Sequence, residues 1–270
     1  MNNIIEMSCE IYVNKNMKIV NNKNICQIEF TYPNVSIINS LLKTKIIQGG
    51  TSTKDYKLIK FKVYSVTTLN QFIMFQKSVT KTTKLSVNFV GQLCYYLSRQ
   101  LYYLESNELV TFLGYNPEYV LVINEQIFIY LGCDLLSKIN EDETIMVSSP
   151  FKKTDFLVSP ELFNIREIPS YIHYKSVYFS FAMLLLQCLI PLEEDIYLNY
   201  LDYLDKEKKD KEINKEKINK EEGECFEERK NMYSIMEEYL NSLSIKDTKL
   251  YWLLSRCFLK DPNERSILFI

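Results

Sequence analysis

Few residues of this 270-residue chain are placed to do chemistry. Its one histidine, His173, stands among aromatic residues in SYIHYKS, a setting that suits packing or a turn better than catalysis. Seven cysteines (Cys9, Cys26, Cys94, Cys133, Cys188, Cys225, Cys257) are scattered without a C-x-x-C pair, so no thiolate metal site is indicated. They read as reduced core thiols of an intracellular protein. The stretch GYNPEYVLVINEQIFIYLG, Gly114 to Gly132, is loop-like at its start, yet Asn116, Glu118, Asn124 and Glu125 are almost its only polar groups. Glu118, and Asp134 just beyond, are the carboxylates at hand for a metal cage or a proton acceptor, and neither is well placed for it.

The elements that position these residues follow from hydrophobic periodicity. From Ile4 to about Val66 the β-branched and aromatic runs CEIYV, ICQIEF and KLIKFKVYSV alternate with turns, which predicts a small sheet. TTLNQFIMFQKS opens a helix with a threonine cap. KLSVNFVGQLCYYLSRQLYYLES then carries Val87, Val90, Leu93, Cys94, Leu97, Leu101 and Leu104 on one stripe, starting at Ser86. YVLVI and QIFIY flank Asn124 and Glu125 as a hairpin. A loop runs to about Pro160, and SVYFSFAMLLLQCLIPL is too short for a bilayer span and reads as a helix buried in a core. Lys206 to Gly223 is nearly all Lys, Glu, Asp and Asn, a solvated or disordered insertion, and amphipathic helices resume from Phe226 with Trp252 in the core. The tyrosine-rich run CYYLSRQLYYLE fits half-buried helix faces.

A 47% hydrophobic content provides for a packed interior, and a formal charge of -2 spread along the chain implies neither nucleic acid nor an anionic membrane as partner. The N-terminus lacks the basic start and apolar run of a signal peptide. The expectations are therefore a cytoplasmic location and no membrane span.

Several local matches resemble the eukaryotic-type protein kinases. FLGYNPEYVLV, Phe112 to Val122, resembles the catalytic loop HRDLKPENVLV; IFIYLG, Ile127 to Gly132, falls where a kinase has KIxDFG. VSPEL resembles the APE motif, KSVYFSFAMLLLQCL the SDVYSFGVLLLEL helix, and CFLKDPNERS the CLxxDPxxRP ending. Together they run from about Leu58 to Arg265. YPNVSIINSL resembles the HPNI turn before the fourth strand, which leaves about thirty residues for what precedes it; in a second register Gly49, Gly50 and Lys62 take the phosphate role. The resemblance implies an α+β, bilobal fold, with a small β-rich N-lobe over residues 1–66, truncated or divergent, and a larger, mainly helical C-lobe over 67–270 with the charged insertion at about 206–223.

Position by position, the resemblance also implies loss of the reaction. Kinase catalysis needs an aspartate to accept the hydroxyl proton and an aspartate and an asparagine to hold magnesium. Gly114 stands at the catalytic aspartate, Asn116 at the loop lysine, Tyr119 at the metal-binding asparagine and Tyr130 at the metal-binding aspartate. Phe112 and Leu131 retain the hydrophobic column between the lobes, Leu121 the residue under adenine, and Glu161 and Arg265 a buried ion pair. The implied protein is a pseudokinase that acts as a scaffold or allosteric partner of another protein, with no metal and no cofactor of its own, ATP being possible only without normal magnesium coordination. The alternative is an atypical ATP-binding serine/threonine kinase with residual phosphotransfer, Lys60 or Lys62 lying on the phosphates.

Overall fold

The computed structural model describes residues 9–22, 24–80, 84–191, 196–217 and 232–267. It is a mixed α/β structure, 45% helix and 22% strand, with small antiparallel sheets. Strands β1 (Cys9–Asn14), β2 (Met17–Asn22) and β3 (Ile25–Phe30) pair antiparallel, helix α1 (Val35–Lys43) follows, and β4 (Thr51–Ser52) and β5 (Leu58–Lys62) complete a sheet of order β1-β2-β3-β5-β4. Alternation decides its faces. Met17, Ile19, Cys26, Ile28, Phe30, Ile59 and Phe61 are buried, while Lys60 and Lys62 on the opposite side of β5 are exposed.

Val35–Lys43, expected to follow a turn into the fourth strand, is a helix instead. Ile37, Ile38 and Leu41 recur at helical spacing and are fully buried, so the period is nearer 3.6 than 2. Because Pro33 and Asn34 precede this helix rather than the fourth strand, residues 9–62 hold five strands and a helix. Gly49 adopts φ +65 in the turn between α1 and β4, a conformation that glycine takes without a Cβ penalty.

Beyond the sheet the chain is mainly helical. Strand β6 (Val66–Thr68) leads into α2 (Leu69–Thr80), where Thr68 Oγ1 accepts the Gln71 N–H as the expected cap. Helix α3 (Val87–Tyr103) starts at Ser86, whose hydroxyl accepts the Phe89 N–H at 3.2 Å, and buries Val90, Leu93, Cys94, Leu97 and Leu101. Val87, at its first turn, is 43% exposed and drops out of the stripe. A wider π turn, Leu104–Glu108, ends this helix before β7 (Val110–Phe112). Next come β8 (Val120–Ile123) and β9 (Ile127–Tyr130), paired antiparallel across Asn124 and Glu125, both at positive φ as a tight hairpin turn requires.

The segment read as loop has more order than its sequence advertises. Strand β10 (Leu136–Lys138) pairs with β7, and β11 (Thr144–Val147) with β12 (Ser170–His173); α4 (Pro160–Phe163) begins at a Ser159 cap. Three- and four-residue strands are too short to show a period. Helix α5 (Ser176–Leu189) is buried on all sides except Gln187. Helices α6 (Ile196–Lys217) and α8 (Lys249–Cys257) pack against it, and α7 (Met232–Ser242) packs against those two. The charged stretch is helical as far as Lys217, and its remainder lies outside the described residues. Trp252 is 52% exposed rather than in the core, because the buried stripe of α8 is Leu250, Leu253, Leu254 and Cys257. His173 is a packing and turn residue, stacked on Tyr174 with Nδ1 accepting the Lys175 N–H. Among the described residues no helix is long and apolar enough to cross a membrane.

Glu161 in α4 and Arg265 after α8 meet from 104 residues apart. The guanidinium donates to both carboxylate oxygens, at 2.6 and 3.0 Å, and Nε donates to the Leu259 carbonyl. Arg265 is 1% exposed and lies 5.4 Å from the centre of the Phe179 ring on α5. A buried bidentate pair whose guanidinium also donates to the Leu259 and Lys260 carbonyls ties α4, α5 and the C-terminal segment together. Arg265→Ala leaves the Glu161 carboxylate without its counter-charge and is expected to cost about 3 to 5 kcal/mol in urea denaturation. A loss under about 1 kcal/mol, the value of a surface pair, would show that the clamp is not structural.

Candidate functional site

The Gly114–Gly132 stretch converges on Tyr130. Its backbone is held by Gln100 of α3, whose Oε1 accepts the Tyr130 N–H at 2.9 Å and whose Nε2 donates to the Tyr130 carbonyl at 2.8 Å. The same amide nitrogen reaches Ser40 Oγ on α1, so one buried side chain joins three elements. The Tyr130 ring turns back over Gly132, where a Cβ would stand 2.6 Å from it. It packs edge-on against Phe112 at 4.7 Å and tilted against Tyr115 at 4.5 Å, with Tyr119 at 6.5 Å. Its hydroxyl then donates to the Gly114 carbonyl at 2.9 Å and accepts the Asn116 N–H at 3.0 Å.

That hydroxyl is a bridge and not a reagent. Complete burial holds the Tyr130 phenol well above the usual tyrosine range despite the Asn116 amide, so it is neutral and offers one donor and one acceptor, both used. A neutral phenol is a poor magnesium ligand beside a carboxylate. Among the described residues no group of three or more His, Cys, Asp or Glu is arranged to hold a metal ion.

Gly114 has no room for a side chain. A Cβ would meet the Phe156 ring and stand 2.6 Å from the Leu157 carbonyl oxygen. Three polar groups pin the segment that carries Phe156. Asn116 Nδ2 donates to the Asp155 carbonyl at 2.8 Å, Ser180 on α5 accepts the Tyr115 N–H and donates to the Leu157 carbonyl, and the Tyr197 hydroxyl on α6 meets the Phe156 carbonyl at 2.8 Å. The space beside Gly114 is thus filled by an aromatic ring from a different part of the chain.

The remaining candidates are distributed around this plug. Leu121 is fully buried in β8 between Thr68 of β6 and Ile129 of β9, and Leu131 and Phe112 are fully buried as well. Lys62 is exposed opposite Ile25 of β3, on the sheet face away from Ile59 and Phe61. Glu118 accepts from Thr68 Oγ1 and Asn70 Nδ2, joining the loop to the start of α2. Asp134 accepts from Asn16 Nδ2 at the β1–β2 turn, at 3.1 Å. The link between sheet and helices is closed in the same way: Asn124 Oδ1 accepts the N–H groups of Tyr64 and Ser65, and β6 pairs with β8.

Gln100, Ser180 and Phe156 were not singled out from sequence. Gln100 and Ser180 had a signal, each being a polar residue set in an otherwise buried helix face. Phe156 had none, since its partner Gly114 is 42 positions away in an irregular segment.

No protein-family model matches the chain, and no curated protein matches it by sequence.

Tyr130→Phe keeps the ring but leaves the Gly114 carbonyl and the Asn116 N–H without their shared partner. It is expected to cost about 1 to 3 kcal/mol in chemical denaturation, and an unchanged midpoint would deny the bridge a structural role. Gly114→Asp must displace Phe156 and is expected to be destabilising by at least about 1 to 3 kcal/mol. A variant as stable as the parent would show that the site has room for a side chain.

Proposed function

We propose that this chain is a catalytically inactive protein-kinase-like domain, with a small β-rich lobe and a larger helical lobe, that works by binding another protein as a scaffold or allosteric partner. The observation that carries the reading is the bridge made by Tyr130. The positions that the resemblance assigns to the proton acceptor and the metal ligands, Gly114, Tyr119 and Tyr130, form a closed aromatic and backbone hydrogen-bonded cluster with no carboxylate in it. Further support comes from the order of the elements: a small sheet, a connecting segment, a long helix, a hairpin, an extended segment ending in α4, a buried helix and terminal helices. The contact between Glu161 and Arg265 is the one the resemblance calls for.

Nucleotide has few footholds in this reading. Lys62 is exposed on the outer sheet face, and the N–H groups of Tyr64 and Ser65 in the connecting segment are spent on Asn124. What remains is a body whose recognition surfaces are its product, with Asp134 serving as a contact to the β1–β2 turn and Glu118 tying the loop to the start of α2.

The test is a thermal-shift titration with ATP, with and without magnesium, beside a radiolabel transfer assay on generic protein substrates. The expected result is no magnesium-dependent shift and no phosphate incorporation. A metal-dependent shift, or transfer that vanishes in Glu118→Ala or Asp134→Ala, would overturn the proposal and favour the residual kinase.

A further inference from the structure

A cavity of about 1300 Å³ opens between the end of α3, the β10–β11 turn, the lead into α5 and the chain after α8. Ligand sites are typically about 300 to 1000 Å³, so it has room for a small molecule. Nothing in the aromatic plug uses it.

Glu105, in the π turn after α3, lines this cavity. Thr111 Oγ1 donates to one carboxylate oxygen at 2.9 Å and the Tyr178 hydroxyl to the other at 2.7 Å. A carboxylate has about four lone-pair sites, so two remain open. Desolvation raises its pKa to about 7, and the two hydroxyl bonds and the charge of Lys175 offset that only in part. Burial therefore outweighs the partners that favour its charged form, Lys175 among them, and a further cation in the cavity would add to them.

The walls and rim have matching character. Tyr102, Tyr171 and Tyr174 line the cavity, and aromatic faces attract organic cations. Glu141, Asp142 and Glu143 line it too, the last also in contact with His173 at 3.3 Å. Of the cations present, Arg265 is committed to Glu161, and Lys175, whose Nζ donates to the Asn263 carbonyl and lies 5.9 Å from the centre of the Tyr174 ring, meets part of the Glu105 charge. Lys138 is exposed. Negative charge exceeds the cationic charge free to meet it.

We propose that this cavity binds a small organic cation, a protonated amine or guanidinium on an apolar or aromatic body, with Glu105 as counter-charge and the tyrosine rings as walls. The inference stands on the cavity alone and does not depend on the loss of phosphoryl transfer. The cation pairs with the ionised form of Glu105, so affinity is full above the folded-state pKa and falls as pH drops through about 7. Between pH 8 and pH 6 the loss is about tenfold for a single such group. The amine itself stays protonated over that range.

The test is calorimetric titration of the full chain with phenethylammonium chloride and, separately, with 2-phenylethanol, which has nearly the same shape and no charge. Expected is saturable binding of the ammonium at pH 8, weaker by about tenfold at pH 6, and binding of the alcohol weaker by about tenfold or more. Glu105→Gln keeps the hydrogen-bonding shape and should weaken ammonium binding by about tenfold at pH 8 and flatten its pH profile. Tyr102→Ala, at a 56% exposed wall position that does not threaten the fold, should weaken it about two- to fivefold. Should Glu105→Gln fail to fold, the alcohol and Tyr102→Ala decide. Equal binding of the alcohol, unchanged binding by Glu105→Gln or Tyr102→Ala, or no saturable ammonium binding up to millimolar concentration would each overturn the proposal.

Discussion

The structure turns on one hydroxyl group. Tyr130 spends its only donor on the Gly114 carbonyl and its acceptor on the Asn116 N–H, closing a loop whose backbone would otherwise hold two buried polar groups without partners. A buried amide or carbonyl left unpaired costs roughly 1 to 3 kcal/mol, so the phenol is as much a structural requirement as a filler. The bridge works only because Gln100 fixes the Tyr130 backbone and Phe112 and Tyr115 fix its ring.

Around that bridge, polar groups act as fasteners. Ser180 in the buried helix α5 takes the Tyr115 N–H and returns a proton donor to Leu157; Tyr197 and Asn116 hold the backbone between Asp155 and Leu157. Glu161 and Arg265 clamp the same half of the molecule, against Phe179 of α5. Phe156 is carried by these contacts into the space next to Gly114, so a glycine is needed there for a steric reason. The bare backbone at Gly114 and the Phe156 ring beside it are two aspects of one packing arrangement.

Much of this was legible in the sequence because it is local. The α3 stripe, its Ser86 cap, the β8–β9 hairpin and the all-apolar α5 follow from periods of 3.6 and 2 and from turn chemistry. The contact between Glu161 and Arg265 was legible only through motif resemblance, since nothing local links two residues 104 positions apart. What stayed hidden is of two kinds. Short strands such as β10 and β11 carry no readable period, and α1 was masked by a Pro-Asn pair that precedes helices and turns alike. Hidden as well was the aim of side chains: sequence placed tyrosines at positions 119 and 130, but not the folding of one ring back over Gly132 to reach Gly114. Trp252 erred the other way, a large apolar residue that the helix turns outward.

The most direct measurement is a high-resolution crystal structure of the chain grown in excess ATP and magnesium. The account predicts Tyr130 with its hydroxyl between the Gly114 carbonyl and the Asn116 amide, Phe156 beside Gly114, and no nucleotide or metal in contact with either. Tyr130 rotated away, with nucleotide phosphates and a coordinated cation in its place, would contradict it.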